Sequence, residues 1–302
     1  MRAEFAQAMV TLFPRRSDLV FLTGDLGYMA LEGIAKTYGE RFINAGIAEQ
    51  NAVSMAAGLA REGHLPWLYS TVPFVVLRAY EQLRNDVCLH KLPVKIVGNG
   101  GGYGFGIMGA THHALEDVGV MRALPNIRIY IPLTATDVPQ VVELMADDPL
   151  PNYLRLNLPA KLQGEIPPFA PWRRIKSGGR AIVIGMGPVI QNLYEMKAPG
   201  LLDDIEIWSV GTFPLDGIPT ELLAGIREKK CVVTIEEHHL ACGLGEALSH
   251  LFLTEGVHPR SFTSLHAAGY PSGRYGSQRW HQEESGLAGP ALAARLEQVV
   301  RA

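Results

Sequence analysis

Two kinds of hydrophobic pattern alternate along the chain, and their alternation predicts the fold. Short continuous apolar runs, typical of buried strands, lie at 19–22, 66–69, 93–97, 127–131, 152–156, 181–184, 205–208 and 231–235. Longer segments with apolar residues at helical spacing lie between or after them, among them 3–13, 74–88, 135–146 and 292–300. Strands that alternate with helices predict an α/β protein with mostly parallel sheets and helices on both faces.

The composition of the chain changes between Leu158 and Gly179, and this stretch separates two series of predicted strands and helices. The stretch is rich in proline, lacks periodicity and ends with several basic residues. Such composition is typical of a linker between domains, and a chain of 302 residues is long enough for about two domains. We therefore predict two consecutive α/β domains at 1–160 and 179–302, joined by a linker at 161–178.

Composition and charge narrow the function classes. The formal net charge of −3 argues against a basic surface for nucleic acid. Three scattered cysteines without a CxxC pair predict neither a disulfide framework nor a zinc site. The first residues resemble a helix rather than a signal peptide, and no apolar run is long enough to span a membrane. We expect a cytoplasmic protein that binds neither nucleic acid nor membrane.

Glu49 is the first candidate for chemistry. It follows an extended segment at 41–43 and a turn at 44–46, and it precedes a run of small apolar residues at 52–60, which places it in the first turn of a helix. A helix N-terminus favours a charged carboxylate, whereas apolar burial favours a protonated one. A carboxylate held between these influences can share a proton with a ring nitrogen. The alternative is a surface glutamate at a helix start, which is common.

Two loops at strand ends supply further candidates. Asp25 follows the first predicted strand, where open α/β sheets place ligand contacts. The segment 98–109 contains seven glycines in twelve residues and leads to His112 and His113. It lacks the lysine of a nucleotide P-loop, so a mobile surface loop is its alternative interpretation. Adjacent histidines without a third ligand at zinc-site spacing favour substrate binding or proton transfer over metal binding, and we predict no metal ligands.

Two other motifs are weaker. Gly185-Met186-Gly187 follows a strand but lacks the third glycine and the later acid of a dinucleotide site. The run Glu236-Glu237-His238-His239 has the composition of a catalytic cluster, but we interpret it as a polar strand end at the surface.

Four segments together make the chain recognisable. They are 46–51 (GIAEQN), 69–71 (YST), 109–117 (GATHHALED), and 234–237 (TIEE) with 243–245 (GLG) after it. In order and spacing they resemble the C-terminal two-thirds of transketolase, and most of all the second subunit of split transketolases. The resemblance covers nearly the whole chain. It implies a pyrimidine-binding domain of the thiamine diphosphate-binding fold, followed by a transketolase C-terminal domain.

The resemblance assigns roles to several candidates. Glu49 matches the glutamate that contacts N1′ of the aminopyrimidine of thiamine diphosphate, and His112 matches a histidine that faces the substrate; both are expected to be catalytic. Asp25 and Leu26 match a loop that approaches the cofactor from a neighbouring chain. His113 stands where other members carry glutamine or another residue, and we expect it to bind substrate.

The chain departs from the family where an aromatic ring stacks on the aminopyrimidine. Val72 and Val75 occupy the usual aromatic positions, with Phe74 between them. Either Phe74 takes over by a small shift or aliphatic packing suffices. We therefore expect Phe74 and Val75 to contact the cofactor.

A second set of departures concerns the substrate. Met108 replaces an aspartate that reads a sugar hydroxyl, and the phosphate-binding arginine falls at about Leu158, although Arg155 is close. Arginine is the usual ligand for phosphate because its guanidinium matches the phosphate oxygens, so we predict that Arg155 binds substrate. The losses indicate a donor or acceptor other than the usual sugar phosphates.

From the resemblance we expect the family's diphosphate-binding domain, with its Gly-Asp-Gly metal signature, to be missing here. Leu26, which breaks the match at Gly24-Asp25, agrees with that expectation. The resemblance then implies a transferase of two-carbon ketol units in carbohydrate metabolism. It would act on sugar or keto substrates only with a separate diphosphate-binding subunit that holds Mg²⁺ or Ca²⁺, as an α₂β₂ heterotetramer.

Three alternatives remain open. A β subunit of a 2-oxo acid dehydrogenase has the same two domains, but the segment 109–117 fits transketolase better. Deoxyxylulose phosphate synthase is a nearer relative that normally carries all three domains. A catalytically silent subunit is the third, and the retention of Glu49 argues against it.

Overall fold

The structure is a computed structural model that describes residues 1–198, 200–228 and 230–301. Its strands, in chain order, are β1 (Leu19–Thr23), β2 (Phe42–Asn44), β3 (Leu65–Thr71), β4 (Lys95–Asn99), β5 (Arg128–Tyr130), β6 (Asn152–Leu156), β7 (Trp172–Lys176), β8 (Ala181–Met186), β9 (Ile205–Val210), β10 (Thr212–Phe213), β11 (Cys231–Glu236) and β12 (Ser261–Leu265).

Helices connect these strands. They are α1 (Arg2–Leu12), α2 (Glu32–Tyr38), α3 (Glu49–Arg61), α4 (Tyr80–Gln82), α5 (Asp117–Arg122), α6 (Asp137–Asp147), α7 (Gln191–Tyr194), α8 (Thr220–Arg227), α9 (Leu244–Thr254), α10 (Gln278–Glu284) and α11 (Gly289–Arg301). Two π-helical segments, Pro73–Arg78 and Leu83–Cys88, flank α4. Among the described residues, no helix is both long and apolar enough to cross a membrane.

The described strands form one sheet of seven, in the order β10-β5-β6-β4-β3-β1-β2, and one of five, in the order β12-β11-β8-β9-β7. Neighbouring strands are parallel except at the β10–β5 and β7–β9 pairs. The predicted α/β class with two mostly parallel sheets is confirmed. Strand β1 has β2 on one side and β3 on the other, so the strand order reverses at β1. Open α/β sheets bind ligands beyond the carboxyl ends of the strands at such a reversal.

Hydrophobic packing explains why the two sheets stay together. One cluster of buried side chains extends from α3 and the π-helical region to β8, β9 and α9. A second cluster covers the opposite face of the first sheet and contains Phe5, Phe21, Trp67 and Tyr69. Each continuous apolar run identified in the sequence overlaps a strand of one of the two sheets. Strands β1 and β3 are buried over their whole length.

Two strands lie where the sequence pattern predicted none. The stretch between Leu158 and Gly179 was expected to lack regular structure, and this is wrong for β7, which pairs antiparallel with β9. Strand β10 follows β9 directly but pairs with β5 of the first sheet. The domain boundaries proposed from the sequence stay a prediction.

Candidate active site

The loop between β2 and α3 places Glu49 at the first residue of its helix. Asn44 organises this loop, because its Oδ1 accepts hydrogen bonds from the backbone N–H of Asp25 (2.9 Å) and of Gly46 (3.0 Å). Gly46 has a φ of +73°, a conformation that glycine adopts without strain. The Glu49 side chain is only 2% exposed. Because α3 begins at Glu49, the prediction that this residue lies in the first turn of a helix is confirmed.

Arg78 is the partner of this carboxylate. Its Nη1 donates to Glu49 Oε2 at 2.7 Å, and its side chain is 44% exposed. The guanidinium also lies over the ring of Phe74, with Cζ 4.6 Å from the ring centre, a cation–π contact. Both residues belong to the π-helical segment that follows β3 almost directly. Arg78 was not identified from the sequence, although it is four residues after Phe74 in a predicted helix.

His112 completes this set of contacts. Its ring makes edge contacts with Phe74 (5.3 Å between ring centres) and with Phe105 (5.8 Å). Its Nδ1 lies 2.9 Å from the hydroxyl of Thr111. The structure therefore brings Glu49, Phe74 and His112 into one continuous arrangement, linked through Arg78.

Asp25 and Leu26 lie on the neighbouring loop after β1. Asp25 is exposed, adopts a φ of +50° and accepts a hydrogen bond from Asn44 Nδ2 at 3.2 Å. Gly24 packs against the Glu49 loop so closely that a Cβ there would lie 3.0 Å from the carbonyl oxygen of Gly46. The loop predicted to approach a cofactor thus lies at the same sheet edge as Glu49.

Three other predicted residues lie outside this arrangement. Val75 is fully buried in the core. His113 is buried, with its ring nitrogens 2.7 Å from the carbonyl oxygen of Gly106 and 2.9 Å from the hydroxyl of Tyr270; burial lowers its pKa. Arg155 is 2% exposed and paired with Asp117 at 2.8 Å, so its guanidinium offers no exposed donor. Their proposed contacts with cofactor or substrate stay predictions.

The interpretation of Glu236-Glu237-His238-His239 as a surface strand end is wrong for its first three residues, which are buried. Glu236 accepts backbone hydrogen bonds from Leu244 and Gly245 at the start of α9, at 2.6 and 2.8 Å. Burial nevertheless raises its pKa to about 7. These acids lie at the junction of the two sheets, where polar partners compensate for the loss of water.

This edge of the sheet combines groups of complementary chemistry. The Glu49 carboxylate can exchange a proton with a ring nitrogen, Phe74 offers an apolar face and His112 can bind a hydroxyl or carbonyl oxygen. Within the described ranges, no group of three or more His, Cys, Asp or Glu side chains is arranged to hold a metal ion.

Comparison with known proteins identifies the family to which this chain belongs. Residues 1–160 match the family model of the transketolase pyrimidine-binding domain. A relative from Actinobacillus succinogenes, named as one of the subunits of an apulose-4-phosphate transketolase, is 30% identical over 247 residues, which is 80% of this chain and 79% of that protein. This chain belongs to the transketolase family.

Two further comparisons define its place among transketolases. A split gene transketolase, described as an inactive beta4 tetramer, superposes with a TM-score of 0.83 at 28% identity over 99% of this chain and 97% of that one. A 1-deoxy-D-xylulose-5-phosphate synthase from Carboxydothermus hydrogenoformans is 31% identical over 84% of this chain but only 42% of its own length. The resemblance to transketolase inferred from the sequence motifs is confirmed.

Family membership implies dependence on thiamine diphosphate. Glu49, Phe74, Arg78 and His112 all lie within the range that matches the transketolase pyrimidine-binding domain.

Proposed function

We propose that this chain is one subunit of a thiamine diphosphate-dependent transferase that moves a two-carbon ketol unit from a ketose donor to an aldehyde acceptor. The observation that carries the proposal is the buried Glu49 carboxylate, which is linked through Arg78 to Phe74 and His112. It lies at the carboxyl edge of the sheet, in a chain of the transketolase family.

The residues present suit the pyrimidine end of the cofactor. Glu49 Oε2 is paired with Arg78, and within the described residues Oε1 accepts no hydrogen bond, which leaves it available to a ring nitrogen. Phe74 is half-buried and offers an aromatic face for stacking. When bound, thiamine diphosphate supplies the nucleophilic carbon for cleavage and formation of carbon–carbon bonds.

The chain's own residues then orient groups and hold protons. Glu49 holds or gives up a proton at the pyrimidine nitrogen, and its helix N-terminus stabilises the carboxylate between turnovers. His112 binds a hydroxyl or carbonyl oxygen of the substrate. Arg78 pairs with Glu49 and compensates its charge, and the Arg78 side chain is 44% exposed.

We further propose that a second chain supplies the diphosphate site and its Mg²⁺ or Ca²⁺, in an α₂β₂ assembly. A relative whose name makes it one subunit of a transketolase supports a divided enzyme. Large apolar side chains are also exposed around the site, as expected of a surface that another chain covers; they are Tyr28, Met29, Ile47, Ile107 and Met108.

The substrate is proposed to differ from the usual sugar phosphates of the family. Met108, at the position where the resemblance places an aspartate, is exposed, and the guanidinium of Arg155 is paired with Asp117. Without a free guanidinium at this position, the chain itself provides less recognition of phosphate. The name of one relative contains a phosphorylated compound, apulose 4-phosphate, so phosphorylated and unphosphorylated substrates both need to be assayed.

Reconstitution tests this function. The chain alone is expected to show no turnover, and mixing it with a diphosphate-binding transketolase subunit, thiamine diphosphate and Mg²⁺ should produce ketol transfer. Glu49→Gln should reduce the rate roughly 100-fold or more, whereas Glu62→Gln, beyond the other end of the same helix, should not. Turnover by the purified chain alone would contradict the divided site, and an unchanged rate for Glu49→Gln would favour a silent subunit. A strong preference for xylulose 5-phosphate over unphosphorylated ketoses would contradict the proposed substrate class.

A further inference from the structure

The glycine-rich loop that carries His112 is held by the second half of the chain. Gly102 and Ala114 exchange two backbone hydrogen bonds of 2.8 and 2.9 Å, which close the loop at its base. Beside this closure, the backbone N–H of Tyr103 donates to the carboxylate of Glu237, which is only 2% exposed. Glu237 lies directly after β11, so the contact spans the two sheets.

Donors from α10 hold the Glu237 carboxylate in place. Gln278 Nε2 lies 2.9 and 3.1 Å from its two oxygens, and Gln282 Nε2 lies 2.8 Å from Oε2. The amide of Gln282 is itself oriented, because its Oε1 accepts from Asn192 Nδ2 at 3.0 Å. The carboxylate therefore has one arrangement in which all of these partners are satisfied.

Gly102 shows how closely the loop backbone approaches this acid. A Cβ at Gly102 would lie 2.6 Å from Glu237 Oε1, and the φ of this residue is +63°. Only a residue without a side chain fits here without displacing the carboxylate. The glycine richness that the sequence shows thus has a local reason at this position.

A second anchor holds the far side of the loop. The ring of His113 lies between the carbonyl oxygen of Gly106 (2.7 Å) and the hydroxyl of Tyr270 (2.9 Å), and stacks on the Tyr270 ring with 5.6 Å between ring centres. His112 directly precedes His113, and its backbone N–H donates to the carbonyl oxygen of Gly109 at 2.9 Å. The segment is therefore fixed from the second half on both sides of His112.

We propose that Glu237 and Tyr270 are positioning residues, which set the place of the His112 ring against Phe74 from the second half of the chain. This inference rests on the proposed function, because its catalytic consequence requires that His112 faces the substrate. It gives the second sheet and α10 a part in the reaction through the position of His112. Displacing His112 by about 1 Å is enough to lower a rate roughly 100-fold.

Hydrogen exchange on the full chain tests the anchors without any activity measurement. Glu237→Gln places an amide NH₂ against the donors of Gln278 and Gln282, so amides at 102–114 should exchange roughly tenfold faster. Glu246→Gln is the matched control. Glu246 also accepts a backbone hydrogen bond, from Cys242 at 2.7 Å, but it is exposed and does not contact the loop. Exchange at 102–114 that is equal in both variants and the wild type would overturn the proposal.

Kinetics of the reconstituted enzyme test the consequence. Glu237→Gln should lower kcat roughly 10- to 100-fold and leave the Kd for thiamine diphosphate within about twofold, because Glu49 and Phe74 lie on other elements. A purely structural role would lower Tm while kcat per folded molecule stayed at the wild-type value, and that result would overturn the proposal. If Glu237→Gln does not fold, Tyr270→Phe decides, because it removes one hydroxyl and should change exchange and kcat in the same directions by roughly threefold. If the wild-type mixture transfers no ketol unit, the proposed function and the catalytic consequence both fail, while exchange still decides whether the anchors exist.

Discussion

At the scale of single residues, the ion pair between Glu49 and Arg78 is asymmetric. The carboxylate is 2% exposed, whereas the guanidinium is 44% exposed and rests on Phe74. Burying a carboxylate is costly unless a charge or hydrogen-bond donor compensates for the loss of water. Arg78 provides that compensation here, so the pair stabilises the resting site more than an exposed pair of the same length would.

A double-mutant cycle with Glu49→Gln and Arg78→Met measures this coupling. We expect a coupling energy of about 1–2 kcal/mol in the free energy of unfolding of the chain without cofactor, measured in urea. Arg84→Met is the control, because the Arg84 side chain is exposed and, among the described residues, donates a hydrogen bond only to the side chain of its neighbour Asn85. A coupling energy near zero would show that Arg78 does not stabilise the Glu49 carboxylate.

The sequence pattern placed Glu49 correctly in the first turn of a helix but placed Glu237 wrongly at the surface, for a physical reason. The burial of Glu49 follows from local features, a turn and a run of small apolar residues. The partners of Glu237 are 134 residues before it at Tyr103 and 41 and 45 residues after it at Gln278 and Gln282. No local sequence pattern predicts that this carboxylate accepts hydrogen bonds from three distant donors. A run of adjacent charged residues is therefore interpreted as a solvated surface.

At the scale of elements, the N-terminus of α9 is hydrogen-bonded to the buried carboxyl group of Glu236. Glu236 accepts the backbone N–H groups of Leu244 and Gly245, which satisfies donors that a helix start leaves unpaired. Burial raises the pKa of Glu236 to about 7 from an ordinary value of 4.5, although these two N–H groups act in the opposite direction. The folded state therefore holds a proton on Glu236 that the unfolded chain releases at lower pH.

This difference predicts how stability changes with pH. Between about pH 4.5 and 7 the folded chain binds more protons at Glu236 than the unfolded chain, so this residue's contribution to stability falls as pH rises. Glu236→Gln cannot ionise and should remove on the order of 1–3 kcal/mol of that decline. Urea unfolding of both proteins at pH 5 and pH 8 measures it. Parallel pH dependences in the two proteins would contradict the raised pKa.

The elements that the sequence predicts and those that it misses differ in burial and in sequence pattern. The buried parallel strands were found because both of their faces are apolar. Strand β7 lies at a sheet edge and is only partly buried, with basic residues at Arg173, Arg174 and Lys176, so its composition is that of a surface loop. The sequence predicts a helix at 74–88, and nothing in its spacing distinguishes the π-helical turns from α-helix.

At the scale of the whole molecule, a buried ion pair joins α6, which packs on the first sheet, to β7 of the second. Arg173 binds both oxygens of Asp137 at 2.7 Å, and neither side chain is more than 2% exposed. Asp137 also accepts backbone hydrogen bonds from Leu133 and Thr134. Removing the cation would leave a buried carboxylate without its counter-charge.

Adjacent arginines on β7 make this a controlled comparison. Arg173→Leu should lower the free energy of unfolding by about 3–5 kcal/mol. Arg174→Leu should change it by only about 0–1 kcal/mol, because Arg174 and its partner Glu221 are both exposed. Urea unfolding at pH 7 measures both values. Equal losses for the two variants would show that the buried pair has no special role in joining the halves.

Strand β10 has a consequence for how the molecule is made. Residues 212 and 213 supply the outermost strand of the first sheet, beside β5. During synthesis, the hydrogen-bonding groups along the open side of β5 stay uncovered until those residues have left the ribosome, long after the other strands of that sheet. An uncovered edge invites pairing with other chains. A fragment cut at residue 160 would carry the same open edge permanently, so the second half protects the first from aggregation as well as packing against it.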